Sequence, residues 1–244
     1  MSLAIGWFSA GVTSAVAISL ALKKYENMQI YYFETGSHHP DNLRFIKDCE
    51  EWYGQKIHVL QSAKYKSVDD LIVKRRYLNG PAGALCTTEL KKHLRQEIEK
   101  YIPFDAQVFG FDYSKKEIAR AERFSAEYPT AKPVYPLLEN KLTKEDCMST
   151  LASWDIELPA MYKLGYHNNN CIGCVKGGMG YWNKIRADFP DTFATMAKRE
   201  RELNHSCIRG RFLDELDPNA GRHDVSLVES CGVFCEPANY EALK

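Results

Sequence analysis

An excess of charge of either sign is missing from this sequence: 32 Lys and Arg offset 32 Asp and Glu over 244 residues, leaving a formal net charge of zero at pH 7. That balance excludes wholesale nucleic-acid coating as the basis of function, while leaving room for a local basic patch. Long hydrophobic runs are also missing. Residues 15–22 are interrupted by Ser19 and stopped by Lys23 and Lys24, far short of the ~20 residues a membrane span needs, so no membrane partner is expected. The opening Met1-Ser2-Leu3-Ala4-Ile5-Gly6-Trp7-Phe8 lacks the basic start and cleavage pattern of a secretory leader, which makes a cytoplasmic setting the expectation. Internal repeats and low-complexity segments are absent too. What is present is 45% hydrophobic residues, 26% charged residues and 8 Cys. A chain of this length buries a core without disulfides. In a reducing compartment its cysteines read as metal ligands, nucleophiles or small buried hydrophobes.

Short apolar runs alternate with longer amphipathic ones over the first 135 or so residues, the pattern of βαβ units and a parallel sheet. Strands are predicted at 4–8, 29–33, 56–60, 106–110 and 132–135, giving an α/β, doubly wound, mainly parallel five-stranded fold. Helices are predicted at 14–24, 41–53 with Asp41 as N-cap, 88–101, 114–127 and 143–154, the last capped by Thr143 with Asp146 in its first turn. Beyond Pro136 the style changes. Pro159 and the Gly- and Asn-rich stretch 165–180 mark a loop-rich region, followed by helices at 181–188 and 191–203 and a tail rich in Gly, Asp and Cys. The predicted division is a nucleotide-binding domain over 1–138 and a helical, loop-rich region over 139–244.

The first strand runs through Ser9-Ala10-Gly11-Val12-Thr13-Ser14 directly into a helix. Small residues let backbone close round a phosphate, hydroxyls and amides donate to it, and the helix N-terminus adds about half a positive charge. Any strand-to-helix turn favours such residues, so alone this stretch balances between an anion site and an ordinary turn. Its companions shift the balance. Glu34-Thr35-Gly36-Ser37-His38-His39-Pro40 ends the second strand, Cys86-Thr87-Thr88-Glu89-Leu90-Lys91-Lys92 follows the third, and Gly110 with Arg120 and Arg123 follows the fourth. In this order the four segments resemble the phosphoadenosine phosphosulfate (PAPS) reductase family of the adenine-nucleotide α-hydrolase, or PP-loop, superfamily.

The resemblance implies an adenine nucleotide as ligand, either a sulfonucleotide (PAPS or adenosine phosphosulfate) or ATP with Mg. Its phosphates would lie on Ser9, Gly11, Thr13, Ser14, Arg120 and Arg123, and its adenosine along Glu34, Thr35 and Gly36, with Lys91 nearby. PP-loop enzymes that adenylate their substrate often have an Asp where this chain has Thr13, which tilts the expectation toward the reductase branch. Arg is the residue type suited to forked phosphate contacts, and Lys74-Arg75-Arg76 reads either as part of a collar around the anion or as a solvated helix face.

Cys171-Ile172-Gly173-Cys174 has the spacing of two thiolates on a tight turn that share a metal or two corners of a cluster. By resemblance Cys86, Cys171 and Cys174, with Cys207 as fourth candidate, hold a 4Fe-4S cluster; Zn on the same cysteines, or unliganded thiols, are the alternatives. Thr87 stands where cluster-containing reductases have a second adjacent Cys. Near the end, Glu229-Ser230-Cys231-Gly232 is similar to the family's Glu-Cys-Gly nucleophile, which assigns Cys231 the attack on sulfur and a thiol reductant such as thioredoxin the role of freeing it. Cys235 reads as a redox partner or further ligand, and Cys49 and Cys147 as packing residues. Under the alternative reading, an ATP-dependent sulfurtransferase, the acceptor is tRNA or DNA; a third reading is a non-catalytic nucleotide sensor. A homodimer is compatible with all three.

Overall fold

The computed structural model describes residues 3–79 and 83–222. Strands β1 (Leu3–Phe8), β2 (Asn27–Glu34), β3 (Ile57–Gln61), β4 (Ala106–Val108) and β5 (Pro133–Val134) form one sheet in the order β3-β2-β1-β4-β5. β1 pairs in parallel with β2 and with β4, and β4 with β5. In chain order the helices are α1 (Val12–Leu22), α2 (Asn42–Tyr53), α3 (Val68–Arg75), α4 (Leu85–Thr87), α5 (His93–Tyr101), α6 (Lys115–Glu127), α7 (Pro136–Glu139), α8 (Lys144–Ser153), α9 (Ala160–Lys163), α10 (Met179–Asp188) and α11 (Pro190–Leu203). A π-helical segment, Thr88–Lys92, separates α4 from α5. The five strands fall within a few residues of their expected places. Among the described residues no helix is long and apolar enough to cross a membrane.

The strand order places a topological switch between β1 and β4. The chain winds outward from β1 through β2 to β3 and then returns to β4 on the other side, so the connections leaving β1 and β4 diverge and open a crevice at their carboxyl ends. That is where the 9–14 loop and Gly110 stand.

Contact density divides the described residues into two compact units interleaved along the chain. The first takes in 3–33, 40–60 and 96–163, so the stretch 139–163 belongs with the sheet. Its core is built on α1, whose Ala15, Ala17 and Ala21 are small enough for close packing and whose Val16 and Ile18 are fully buried. α7 and α8 pack on α1. Phe8, Ile30, Phe45, Val108, Leu137 and Leu151 complete this core, together with Cys49 and Cys147, both fully buried as packing residues. Thr143 caps α8 as expected and forms a capping box, with Thr143 Oγ1 accepting from the Asp146 N–H and the Asp146 carboxylate accepting from the Thr143 N–H. Asp41 departs from expectation: it occupies the N-cap position of α2 but makes no capping bond. Its carboxylate accepts instead from the Arg44 guanidinium at 2.7 and 2.9 Å and from the Ala160 N–H at 2.8 Å, since charge-assisted forked bonds outcompete a neutral cap.

The second unit takes in 34–39, 61–79, 83–95 and 164–222. α3 within it was not anticipated from the sequence, yet it is well specified: Ser67 caps it by accepting from the Asp70 N–H, with Asp69 and Asp70 in the first turn and Lys74 and Arg75 in the last. α10 and α11 pack together with the fully buried Trp182 and Ile185. The Glu200 carboxylate of α11, itself fully buried, accepts from the Cys207 N–H at 2.5 Å and the Leu213 N–H at 2.6 Å, fixing the chain that follows the helix.

Candidate functional site

The sheet unit contains the turn expected to cradle an anion. Ala10 takes a left-handed conformation (φ +56°) and Gly11 then caps α1 with extended backbone, the sort of strain that a non-glycine residue keeps where surrounding structure enforces it. Ser14 Oγ organises the loop: it accepts from the Ser9 N–H at 3.1 Å and the Ser9 hydroxyl at 3.0 Å, and donates to the Gly11 carbonyl at 2.9 Å. The first amides of α1 have no carbonyl four residues back and point out of the helix start. Gly110, just past β4, presses its backbone against this turn. A Cβ there would lie 2.7 Å from both the N and Cα of Ser14, so only glycine permits the approach.

Ser9, Gly11, Thr13 and Ser14 are thus gathered on one turn, with Gly110 against it. Arg120 and Arg123 lie on α6 of the same unit, Arg123 exposed. The Arg120 guanidinium sits 4.5 Å from the centre of the Phe111 ring and donates to Glu117 at 3.3 Å. Burial raises the Glu117 pKa, and the Arg120 charge opposes that shift.

The second unit contains a thiol cluster assembled from separated segments. At the end of β2, Gly36 is left-handed (φ +66°) and a Cβ there would strike the Lys66 carbonyl, which makes glycine obligatory. Its N–H donates to Glu34 Oε1 at 2.6 Å. Thr35 Oγ1 lies 3.1 Å from Cys171 Sγ and 3.5 Å from His38 Nδ1, and His38 Nδ1 lies 3.5 Å from Glu34 Oε1. The Ile172 N–H donates to the Ser37 carbonyl at 2.8 Å, which ties this turn to the Cys-x-x-Cys turn. Burial alone would push the imidazole of His38 down, but the sulfur of Cys171 when deprotonated and the Glu34 carboxylate overcome it and raise the pKa to about 9, with Lys91 opposing. Lys91 is itself buried. Of the two adjacent histidines, His38 belongs to this cluster, whereas His39 packs edge-on against Phe189.

Tyr181 belongs to none of the sequence motifs, yet it stands at the Cys-x-x-Cys turn. Its buried hydroxyl accepts from the Cys174 N–H at 2.9 Å and donates to the Cys171 carbonyl at 3.1 Å, bridging the Cys-x-x-Cys turn. A Tyr seven residues after the second Cys, beyond three glycines, was the available signal. Lys74 and Arg75, read as part of an anion collar or as a helix face, form ion pairs with Asp70 and Glu89.

Cys86, Cys171, Cys174 and Cys207 all belong to the second unit and all are half-buried. Cys171 is engaged with Thr35 and His38, and burial, followed by the neighbouring Glu200 carboxylate, pushes the Cys207 thiol well up. Among the described residues no three His, Cys, Asp or Glu side chains are grouped to hold a metal ion. Thiolate ligands must converge on one point, and the described side chains include no such group of three for a 4Fe-4S cluster or Zn. No step below passes through either. Cys231 and Cys235 lie outside the described residues.

Comparison with known proteins identifies a family. The model of the phosphoadenosine phosphosulfate reductase domain matches residues 4–177. Two curated relatives, the adenosine 5'-phosphosulfate reductases of Pseudomonas aeruginosa strains LESB58 and UCBPP-PA14, are each 23% identical over 180 residues, 70% of this chain. The match spans 66% of those relatives' own length. Among solved structures, the PAPS reductase of Candida auris in its phosphate complex aligns with a TM-score of 0.47 and 11% identity, covering 69% of this chain and 80% of that one.

Proposed function

The chain belongs to the phosphoadenosine phosphosulfate reductase domain family, and on that premise we propose that it reduces a sulfonucleotide, with the nucleotide's phosphate on the 9–14 loop. The observation that carries this reading is the loop held by Ser14 Oγ against Gly110, at the switch point of the sheet and inside the matched stretch. Thr13 supports the choice of sulfonucleotide over ATP, since the loop has no carboxylate at the position from which adenylating relatives serve magnesium-bound pyrophosphate.

The reaction requires a thiolate to attack the sulfate sulfur. A sulfur–sulfur bond forms, the sulfur–oxygen bond to the phosphate breaks, and the nucleotide leaves with the bonding electron pair. A dithiol then attacks the protein sulfur of the S-sulfonate. Sulfite departs with the electrons of the cleaved sulfur–sulfur bond, and the dithiol's second thiol displaces and restores the protein thiol, ending as a disulfide. Cys231 is the proposed nucleophile. Anion stabilisation by the 9–14 loop acts on the charge that develops on the leaving phosphate.

Incubation of the full chain with PAPS or adenosine 5'-phosphosulfate and a dithiol reductant should release sulfite, and Cys231→Ser should stop it. Pyrophosphate release from ATP and Mg, with no sulfite from either sulfonucleotide, would overturn the reading in favour of ATP-dependent thiolation.

A further inference from the structure

The zero net charge of the chain hides a division of charge between its parts. The described residues of the second unit hold 17 Lys and Arg against 11 Asp and Glu, an excess of six positive charges, whereas those of the sheet unit hold 14 against 17. Much of that excess lies where α3 runs beside the chain that leaves α11. The two are pinned at one end by Arg199 Nε on Asp69 at 2.7 Å. At the other end the Asn79 amide donates to the Cys207 carbonyl at 3.4 Å, and Asn79 Oδ1 lies 3.3 Å from His205 Nε2. Lys64 and Lys66 are tied to α3, because the Lys74 ammonium donates to the Lys64 carbonyl at 3.0 Å and the Lys66 N–H donates to Asp70 at 3.0 Å. Arg76 ends α3, and Arg209 and Arg211 flank Gly210 on the turn closed by the Ile208–Arg211 bridge.

The carboxylates along these segments are already matched: Asp69 by Arg199, Asp70 by Lys74, Glu89 by Arg75, and Asp214 and Glu215 by Arg201. Lys64, Lys66, Arg76, Arg209 and Arg211 are exposed and form no ion pair among the described residues. Cations left over on one face attract an acidic partner and orient it. Since the chain as a whole is neutral, an extended polyanion meets little net attraction beyond a Debye length of about 8 Å. A compact protein that covers one face feels the local excess alone. Val73, exposed on α3 amid these cations, adds the apolar contact that protein interfaces use. The same unit holds Arg222, whose carbonyl stands so close to Gly180 in the first turn of α10 that a Cβ there would strike it, and Cys231 follows nine residues on.

We propose that this face docks the protein that delivers the dithiol: an acidic dithiol protein whose carboxylates pair with Lys64, Lys66, Arg76, Arg209 and Arg211. The inference rests on the sulfonucleotide reading, whose last step requires a dithiol to reach the S-sulfonate. A small uncharged dithiol needs no such face, and that difference makes the docking measurable.

Sulfite release by the full chain, from whichever sulfonucleotide it turns over, is followed with a thioredoxin of net negative charge and, separately, with dithiothreitol. Combined Arg76→Glu, Arg209→Glu and Arg211→Glu should raise the KM for the thioredoxin about tenfold and leave the rate with dithiothreitol within about twofold. The same change of charge on the sheet unit, Lys23→Glu with Lys100→Glu and Lys141→Glu, should leave both within about twofold. Added salt should shrink the difference between wild type and the arginine variant. A thioredoxin KM unchanged in the arginine variant, or raised as much by the lysine variant, overturns the inference; so does an equal loss with dithiothreitol, which marks a structural role. A labelled DNA duplex that binds the wild type and not the arginine variant, with the thioredoxin KM unchanged, assigns the face to nucleic acid and also overturns it. Each of these leaves the sulfonucleotide reading standing. A wild-type chain that releases no sulfite with either reductant overturns the reading itself, and the inference falls with it.

Discussion

The two compact units build their candidate chemistry in opposite ways. In the sheet unit the anion cradle is one continuous turn, and its groups are mostly backbone amides and hydroxyls organised by Ser14, five residues from Ser9. In the second unit the thiol cluster joins the 34–39 turn to Cys171, a separation of 136 residues between Thr35 and its sulfur partner. Contiguous backbone sites are robust because their parts are neighbours in the chain. Side-chain sites assembled across long sequence separations depend on a few buried polar groups, each of which is costly to orphan.

The sharpest way to break that comparison is to remove one buried polar group from each unit. Glu200→Ala in the second unit strips the acceptor from the Cys207 and Leu213 amides and should cost about 3–5 kcal/mol in denaturant unfolding. Ser14→Ala in the sheet unit should cost about 1 kcal/mol. Equal losses would end the contrast.

The pH dependence of stability should run in opposite directions in the two units. His38 binds its proton more tightly folded than unfolded, with a folded value of about 9 against 6.5. Its contribution is therefore complete below about pH 6.5 and is lost as the pH rises through 9, up to about 3 kcal/mol. Lys144 shows the reverse: burial lowers its value from 10.5 to about 8, with Asp112, Glu145 and Glu117 opposing. The penalty of its charge is felt in full below about pH 8 and disappears as the pH climbs toward 10.5, again up to about 3 kcal/mol. Unfolding midpoints of the wild type minus those of His38→Gln should fall between pH 6.5 and 9. The same difference against Lys144→Met should rise between 8 and 10.5. Parallel slopes would refute the assignment of either group.

A smaller effect separates the two kinds of glycine. Gly110→Ala brings a Cβ within 2.7 Å of the Ser14 backbone and should cost about 1–3 kcal/mol together with most of the nucleotide affinity. Gly165, left-handed at φ +82° with open space around its Cα, should cost only about 1 kcal/mol on change to Ala and leave binding intact. Smallest of all, Thr35→Val should cost about 1 kcal/mol in stability and change the alkylation rate of Cys171, measured by mass spectrometry after timed labelling.

Much of the fold was legible because it is written in local pattern. Five apolar runs gave five strands, Thr143 caps the helix expected of it, and the helix expected from 114 starts there with Ser114 as its cap. Asp41 holds the N-cap position expected of it, but Arg44, three residues on, takes its carboxylate in place of a capping bond. α3 is short and charged at both ends, so its only local start signals are Ser67 and the acidic first turn.

By itself the sequence determined the sheet, the 9–14 loop and the membership of a family, since each rests on residues adjacent in the chain or on motifs in fixed order. Tertiary structure alone decided which of the chemistry-bearing side chains meet. Nothing in the order of residues says that Tyr181 bridges the Cys-x-x-Cys turn, that His38 and not His39 joins Cys171, or that Tyr162 reaches the helix that starts at Val12. Those pairings are set by packing over separations at which local propensity carries no information, and a buried polar group is placed by the partners that the completed fold provides.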